Sequence, residues 1–324
     1  LADIDWLGIF LLALSIGSLQ YVLEKGQDDD WFANKYIIFF SCLTVLASFF
    51  FIWRESIFRN PIVNLRVLKN GNLRIGTGLT FILGFGLYGS TFIIPIYTQS
   101  TLGWTAEQSG LLMVASSVTT AFMMPVIGQL LQKGVPQQFL VSIGMFCFSI
   151  FCFWRYIILT NDTGSEAFFW MLVVRGAGMA MLFIPITTLS LSTLQGAEIG
   201  QGVSFTGMMR QVGGSFGVAI ITTFMARQNM EHRSNLVSKL NVNDPDVYHR
   251  INALQHGFMT KGMQPDIALK SAYKALDYSV TVQANVQTYM DVFYYLGIIF
   301  IICIPFVLFV KKSRKKLAIS EGMH

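Results

Sequence analysis

The chain has 324 residues, 53% hydrophobic and 13% charged, with a net charge of +5 and a mean hydropathy of +0.54. Soluble globular domains carry about 25% charged residues, so this composition excludes that class. The excess of positive charge does not indicate a nucleic-acid binder, because the basic residues flank apolar segments and do not gather on one polar face.

Eight segments are long and apolar enough to cross a bilayer, near residues 6–23, 36–53, 75–97, 108–131, 138–159, 168–193, 204–226 and 288–310. Lipid offers no partner to an unpaired backbone group, and the runs are too long and too unalternating for barrel strands, so these segments are helices. The expected fold is an all-α polytopic membrane protein. Leu1 opens the chain with no leader before the first segment, so a piece of a longer protein is expected. The cysteines Cys42, Cys147, Cys152 and Cys303 lie in apolar segments without metal-ligand spacing and read as small core residues. No metal or cofactor is expected.

The first two segments are joined by a short connection with only Lys25 and Lys35, whereas the second and third are joined through Arg54, Arg59, Arg66, Lys69 and Arg74. Lys311, Lys312, Arg314, Lys315 and Lys316 follow the last segment. With an even number of crossings the two rich clusters share one side, and the positive-inside rule puts both ends in the cytoplasm.

The third segment is rich in glycine (Gly76, Gly78, Gly84, Gly86, Gly89) and runs through Tyr88, Pro95 and Tyr97 to Gln99. Tyr88 and Gln99 are candidates for ligand contact, and Tyr97 reads as an interfacial aromatic. The sixth segment carries Arg175 well inside, with Gly178 and Pro185 on its face. An arginine at mid-membrane costs about 2.5–3.5 kcal/mol on insertion scales, so it marks a polar cavity, a path or a partner. Pro185 removes a backbone hydrogen bond and kinks the helix. With Thr187, Thr188, Ser190, Ser192 and Thr193 beyond it, the segment suits a moving wall; an ordinary proline kink accounts for the same pattern.

The seventh segment holds the densest constellation. Gly207, Arg210, Gly214 and Gly217 are three, four and three residues apart and share one helix face, with Gln211 beside Arg210. Gly213 and Gly217 form a GxxxG step that lets a neighbouring backbone approach. The glycines read as packing notches or hinges. Arg210, with five donors and a permanent charge, is either a structural anchor or a cavity-lining coupling residue.

Residues 227–287 are a long polar connection. Asn243-Asp244-Pro245 resembles a helix start, and Val247, Ile251, Leu254 and Phe258 recur at helical spacing up to a stop at Gly262. After Pro265, the series Ala268, Leu269, Ala272, Tyr273, Leu276 predicts a second helix running on into the last segment. This external hairpin is either a cap over the outer mouth or a docking surface. Asp5, Asp30, Glu107 and Asp291 all fall near segment ends, no histidine falls within a segment, and no phosphate loop, HExxH or GxSxG occurs. An enzyme is therefore not expected.

Taken together, the stretches Asp5-Trp6-Leu7-Gly8, Pro61-Ile62-Val63-Asn64-Leu65-Arg66, Tyr88 to Tyr97, Arg175-Gly176-Ala177-Gly178, Arg210 to Gly217 and Tyr289-Met290-Asp291-Val292-Phe293 resemble the C-terminal portion of fourteen-span drug:proton antiporters of the major facilitator superfamily, the EmrB/QacA type. Gly128 to Gly134 is similar to a degraded copy of a superfamily loop; Gln132 replaces its acid, so the loop's gating role is not carried over. The resemblance implies two extra helices in residues 1–60 and a C-terminal six-helix domain in 61–324. It implies a bacterial inner-membrane exporter of amphiphilic or cationic drug-like compounds, driven by protons, whose N-terminal half is absent and holds the proton-carrying acid. In double-membrane bacteria a periplasmic adaptor protein is a further implied partner. The rival readings are an exporter of a siderophore or lipid precursor, or a membrane enzyme or receptor module.

Overall fold

The computed structural model describes residues 5–57, 71–158, 165–241 and 244–308. They form nine α-helices: α1 (Trp6–Lys25), α2 (Lys35–Ile57), α3 (Gly71–Ser100), α4 (Ala106–Gln132), α5 (Gln137–Ile158), α6 (Ser165–Leu191), α7 (Ala197–Ser238), α8 (Pro245–Thr260) and α9 (Pro265–Leu308). A 3-10 turn at Trp31–Ala33 joins the first two. Pro61–Arg66 and most of the expected cytoplasmic cations lie outside the described residues.

Among the described residues, seven helices are long and apolar enough to cross a membrane, against the eight segments expected. The difference is α7. Its 42 residues suffice in length, but Gln201, Ser204, Thr206, Arg210, Gln211 and Ser215 dilute its apolar content. The largest core cluster joins α3, α5, α6 and α9 through fully buried side chains such as Ile93, Phe148, Phe151, Phe168, Leu182, Phe293 and Phe300. Burial of this kind in a bundle of apolar helices is close packing, since lipid tails are as apolar as the side chains themselves.

Neighbour pairs give the directions. Gly84 lies against the Arg210 carbonyl and Gly89 against Ile221, so α3 and α7 run the same way. Phe148 meets Phe300 and Phe151 meets Phe293, so α5 and α9 run in opposite directions. α1 and α2 form a pair of their own, joined by the hydroxyls Ser15–Ser48 at 2.6 Å and Thr44–Ser18 at 2.9 Å. They lean on α7 through a small cluster of Phe51 and Phe205 with Leu11, Leu12, Met208 and Met209. Asp5 caps α1 by accepting the Gly8 N–H at 2.9 Å and pairs with Arg54 at 3.2 Å. Burial pushes the Asp5 carboxyl up, but the Arg54 guanidinium and the Gly8 amide outweigh it and hold the group below its ordinary value.

Two sequence readings change here. Tyr97 is fully buried, beside Tyr289 and Phe168, and is not an interfacial aromatic. Cys42 is exposed on α2, whereas Cys152 is buried and Cys147 and Cys303 are half-buried, so only three of the four are packed inward.

The polar connection is helical nearly throughout. α7 continues to Ser238, which the polar run after Ala226 conceals in the sequence. Asp244 accepts the Asp246 N–H and Pro245 opens α8, which ends at Thr260 before Gly262 turns with φ +87°. α9 then runs unbroken from Pro265 for 44 residues. Asn243 lies outside the described residues.

Candidate functional site

α3 and α7 approach backbone to backbone. A Cβ on Gly213 would stand 2.2 Å from the Phe81 carbonyl oxygen, one on Gly217 2.8 Å from that of Phe85, and one on Gly84 2.1 Å from that of Arg210. A Cβ on Gly214 would strike the Tyr88 ring at 2.5 Å. Three of the four α7 glycines singled out in the sequence are therefore packing positions. Gly207 is the exception: nothing lies within 4 Å of a Cβ there, so it makes no packing notch in this chain. Its spacing places it near the others, yet α3 touches α7 both below it, at Gly202 beside Leu73, and above it, at Gly213 and Gly217.

The close seam leaves a polar strip at its rim. Tyr88, 37% exposed, donates its phenol to Gln211 Oε1 at 3.0 Å, joining two expected site residues across α3 and α7. Arg210 is half-buried with its guanidinium 4.6 Å from the Phe183 ring of α6, a cation–π contact, and its side-chain donors meet no acceptor among the described residues. Gln99 is not brought to this strip. It is exposed at the end of α3, about three turns beyond Tyr88.

Arg175 behaves differently from Arg210. It is 4% exposed and donates through Nε to Ser90 at 3.1 Å, through Nη1 to Ser116 at 2.9 Å, and through Nη2 to the Leu87 carbonyl and Thr91. It thus ties α6 to α3 and α4 and does not reach an open face, a geometry that departs from the path-lining role expected of it. Gly178 beside it packs on α5, where a Cβ would lie 3.2 Å from the Gly144 carbonyl. Pro185 is buried within α6, and the hydroxyls around it return to the helix: Thr187 to Phe183, Thr188 to Ile184, Ser190 to Ile186. These hydroxyls bond back to their own helix, with Thr188 exposed and Ser190 buried.

Sequence reasoning missed Arg155. Three residues from the end of α5, it reads as a flanking cation, yet it is 2% exposed. Its guanidinium carbon lies 4.2 Å from the Phe168 ring centre, 5.0 Å from that of Phe293 and 5.7 Å from that of Tyr97. The aromatic run after the start of α6 was the available signal, because a short connection returns Phe168 to the level of Arg155.

Polar links also join the upper part of α7 to α9. Arg233 pairs with Asp277 and His232 with Asp291, each at 2.7 Å, and Asn229 donates to Asn285 at 2.5 Å. Beside them a cavity of about 240 Å³ is lined by Met225, Ala226, Asn229, Asn285, Thr288 and Tyr289. No cluster of metal-ligating side chains occurs among the described residues.

Residues 6–218 match the family model of the Major Facilitator Superfamily. The chain is 28% identical to the fatty acid resistance protein FarB of Neisseria gonorrhoeae, over 94% of its own length and 58% of that protein's. It is 28% identical to the multidrug export protein EmrB of Escherichia coli K12, over 95% of this chain and 58% of that one. The colistin resistance protein EmrB of Acinetobacter baumannii is 23% identical over 97% of this chain and 60% of its own. The chain spans a little under three fifths of the length of the first two.

Proposed function

The chain belongs to the major facilitator superfamily, and on that premise we propose that it is the C-terminal part of a proton-driven multidrug efflux antiporter of the fourteen-span kind. The observation that carries this reading is the uncovered polar strip of Arg210, Gln211 and Tyr88 on helices otherwise packed into an apolar bundle. A permanent charge at that depth needs a polar cavity or a partner surface. The missing N-terminal half supplies both, with the drug held between the halves near the midplane and released by their rocking. The tight glycine seam keeps α3 and α7 together as they move. Arg210 serves coupling or substrate orientation from this half, and the proton-carrying acid belongs to the other.

In this reading residues 1–60 form the two helices inserted between the halves, and 61–324 the transport domain. The protein lies in the bacterial inner membrane with both ends of this segment cytoplasmic, which puts α8, the end of α7 and the start of α9 outside, where an adaptor protein can meet them. Transport and not catalysis is the activity, its substrates amphiphilic or cationic drug-like molecules.

The test is Arg210→Ala in the full-length protein. Export of an organic cation from cells should be abolished or severely reduced at matched membrane insertion, with Arg210→Lys restoring only part, since an ammonium lacks the planar fork. Near-normal resistance with Arg210→Ala would overturn the role given to this strip.

A further inference from the structure

Among the described residues two arginines are buried in the bundle, and their surroundings differ. Arg175 engages Nε, Nη1 and Nη2 with four acceptors. Arg155 presents its faces to Phe168, Phe293 and Tyr97, but its Nε and Nη2 are out of solvent and have no hydrogen-bond partner among the described residues. Nε and Nη2 lie on the same edge of the guanidinium. They form the side-on fork that grips a carboxylate through two parallel N–H···O bonds. Aromatic faces stabilise the positive charge but offer no lone pair to that edge. An idle fork on a buried cation is costly, and an anion with two oxygens in one plane relieves the cost.

The cavity between α7 and α9 lies two side chains away from the fork. Tyr289 lines the 240 Å³ cavity between α7 and α9. On its other side its ring meets Tyr97 edge-on at 5.1 Å, and Tyr97 stands against Arg155. Tyr289 is tethered by one long hydrogen bond, 3.3 Å to Ser100. Tyr289 and Tyr97 are thus the two side chains that stand between the cavity and the Arg155 guanidinium. The cavity's polar rim at Asn229, Asn285 and Thr288 would keep a head group solvated until it reaches Arg155.

We propose that the Arg155 box is a receiving site for the carboxylate head of an amphiphile. The head seats on Nε and Nη2, and the apolar body lies along Phe168, Trp104 and Phe293. The two donors of the fork match the two coplanar oxygens of a carboxylate, whereas inorganic phosphate adds two oxygens and a second charge that the fork does not match. The box packs on Phe168 and the Arg210 strip on Phe183, at different levels of α6, so this half carries a second position for substrate. The proposal rests on the export reading for its purpose, but not for the binding itself.

Detergent-solubilised full-length protein is titrated with radiolabelled dodecanoate, with dodecanol, dodecyltrimethylammonium and inorganic phosphate as competitors, and drug–proton exchange is measured separately in vesicles. Dodecanoate should bind at least tenfold tighter than dodecanol, with phosphate failing to compete. In Arg155→Lys, which keeps the charge but lacks the fork, and in Arg155→Met, that preference should fall to within about twofold while dodecanol binding persists as a check on folding. In Tyr289→Ala dodecanoate should associate faster. Equal affinity for acid and alcohol in the wild type would overturn the proposal, as would an undiminished preference in both Arg155 variants. A severalfold gain in dodecanoate affinity from Glu166→Gln or Asp162→Asn would also overturn it, by revealing an acid of the chain itself in the fork. Loss of exchange with this binding pattern intact would refute the antiport reading and leave the site standing.

Discussion

α7 is fastened at two levels by opposite means. Against α3 it has almost no side chains between the backbones, and Gly84, Gly213 and Gly217 set the spacing. Against α9, higher up, it is held by side chains reaching across, Asn229 to Asn285, His232 to Asp291 and Arg233 to Asp277. The first contact has one geometry and fails when a methyl is added. The second can lose one link and keep the others, because each is a partly solvated polar pair. A transporter half that must move as a body needs the first kind where helices cross the membrane, and can use the second where it meets water.

The sharpest way to break this contrast is to thicken the glycine seam. Gly213→Val forces atoms toward the Phe81 carbonyl, already 2.2 Å from a Cβ there. It should cost about 3 kcal/mol, the upper part of the overpacking range, and lower the melting temperature of the purified full-length protein. An unchanged melting temperature would mean that α3 and α7 are not in this register.

Removing a link from the polar seam should cost less. Asn285→Ala and Asn229→Ala, singly and together, should each destabilise by about 0.6 kcal/mol, with a coupling energy of similar size in the double-mutant cycle. Coupling near zero would show that the two amides do not bond across the seam.

Gly207→Ala separates packing from hinge motion. With nothing within 4 Å of the new methyl, the helix should gain up to about 1 kcal/mol from the better helix former. If export falls while stability rises, Gly207 is a bending point. If neither changes, it is a bystander.

The smallest effect concerns α1 and α2. Asp5 has its acidity strengthened by Arg54 and the Gly8 amide against the opposing effect of burial. A carboxyl depressed in the folded chain contributes stability above about pH 4, its ordinary unfolded value, and loses that contribution as pH falls through the lower folded value. Arg54 is about a third exposed, so solvent screens the pair and Asp5→Asn should cost only a few tenths of a kcal/mol at pH 7. The difference between wild type and variant should shrink in acid; a difference that grew would reverse the assignment.

The two seams also differ in how far they can be read from the sequence. GxxxG at Gly213 and Gly217 announces a close backbone approach because the cause is local: two missing side chains one turn apart. The same reasoning places Gly207 in the seam and is wrong, since the path of α3 decides which of these positions it touches. The bounds of α8 follow from Asp244, Pro245 and Gly262, each of which acts on its own turn. The continuation of α7 to Ser238 is hidden, because its partners Asp277, Asn285 and Asp291 lie more than forty residues further along. Arg155 is hidden for a similar reason: its burial depends on Tyr97, Phe168 and Phe293 arriving from three other helices. Arg175 was visible as a charge in an apolar run, but its role as a tie between helices depended on hydroxyls from α3 and α4.

α9 is one helix from Pro265 to Leu308, and its length has a mechanical meaning. At about 1.5 Å per residue its 44 residues extend roughly 66 Å, about twice the thickness of a bilayer's hydrocarbon. The excess, with α8 laid along it and Gln255 donating to the Pro265 carbonyl, is a lever arm fixed to the membrane part without an intervening joint. A tilt of about ten degrees at the bundle would swing a tip roughly 30 Å away by about 5 Å, a displacement comparable to one helical turn. Whatever touches that tip therefore feels an enlarged copy of each rocking step, and a load placed there acts back on the bundle with the same leverage.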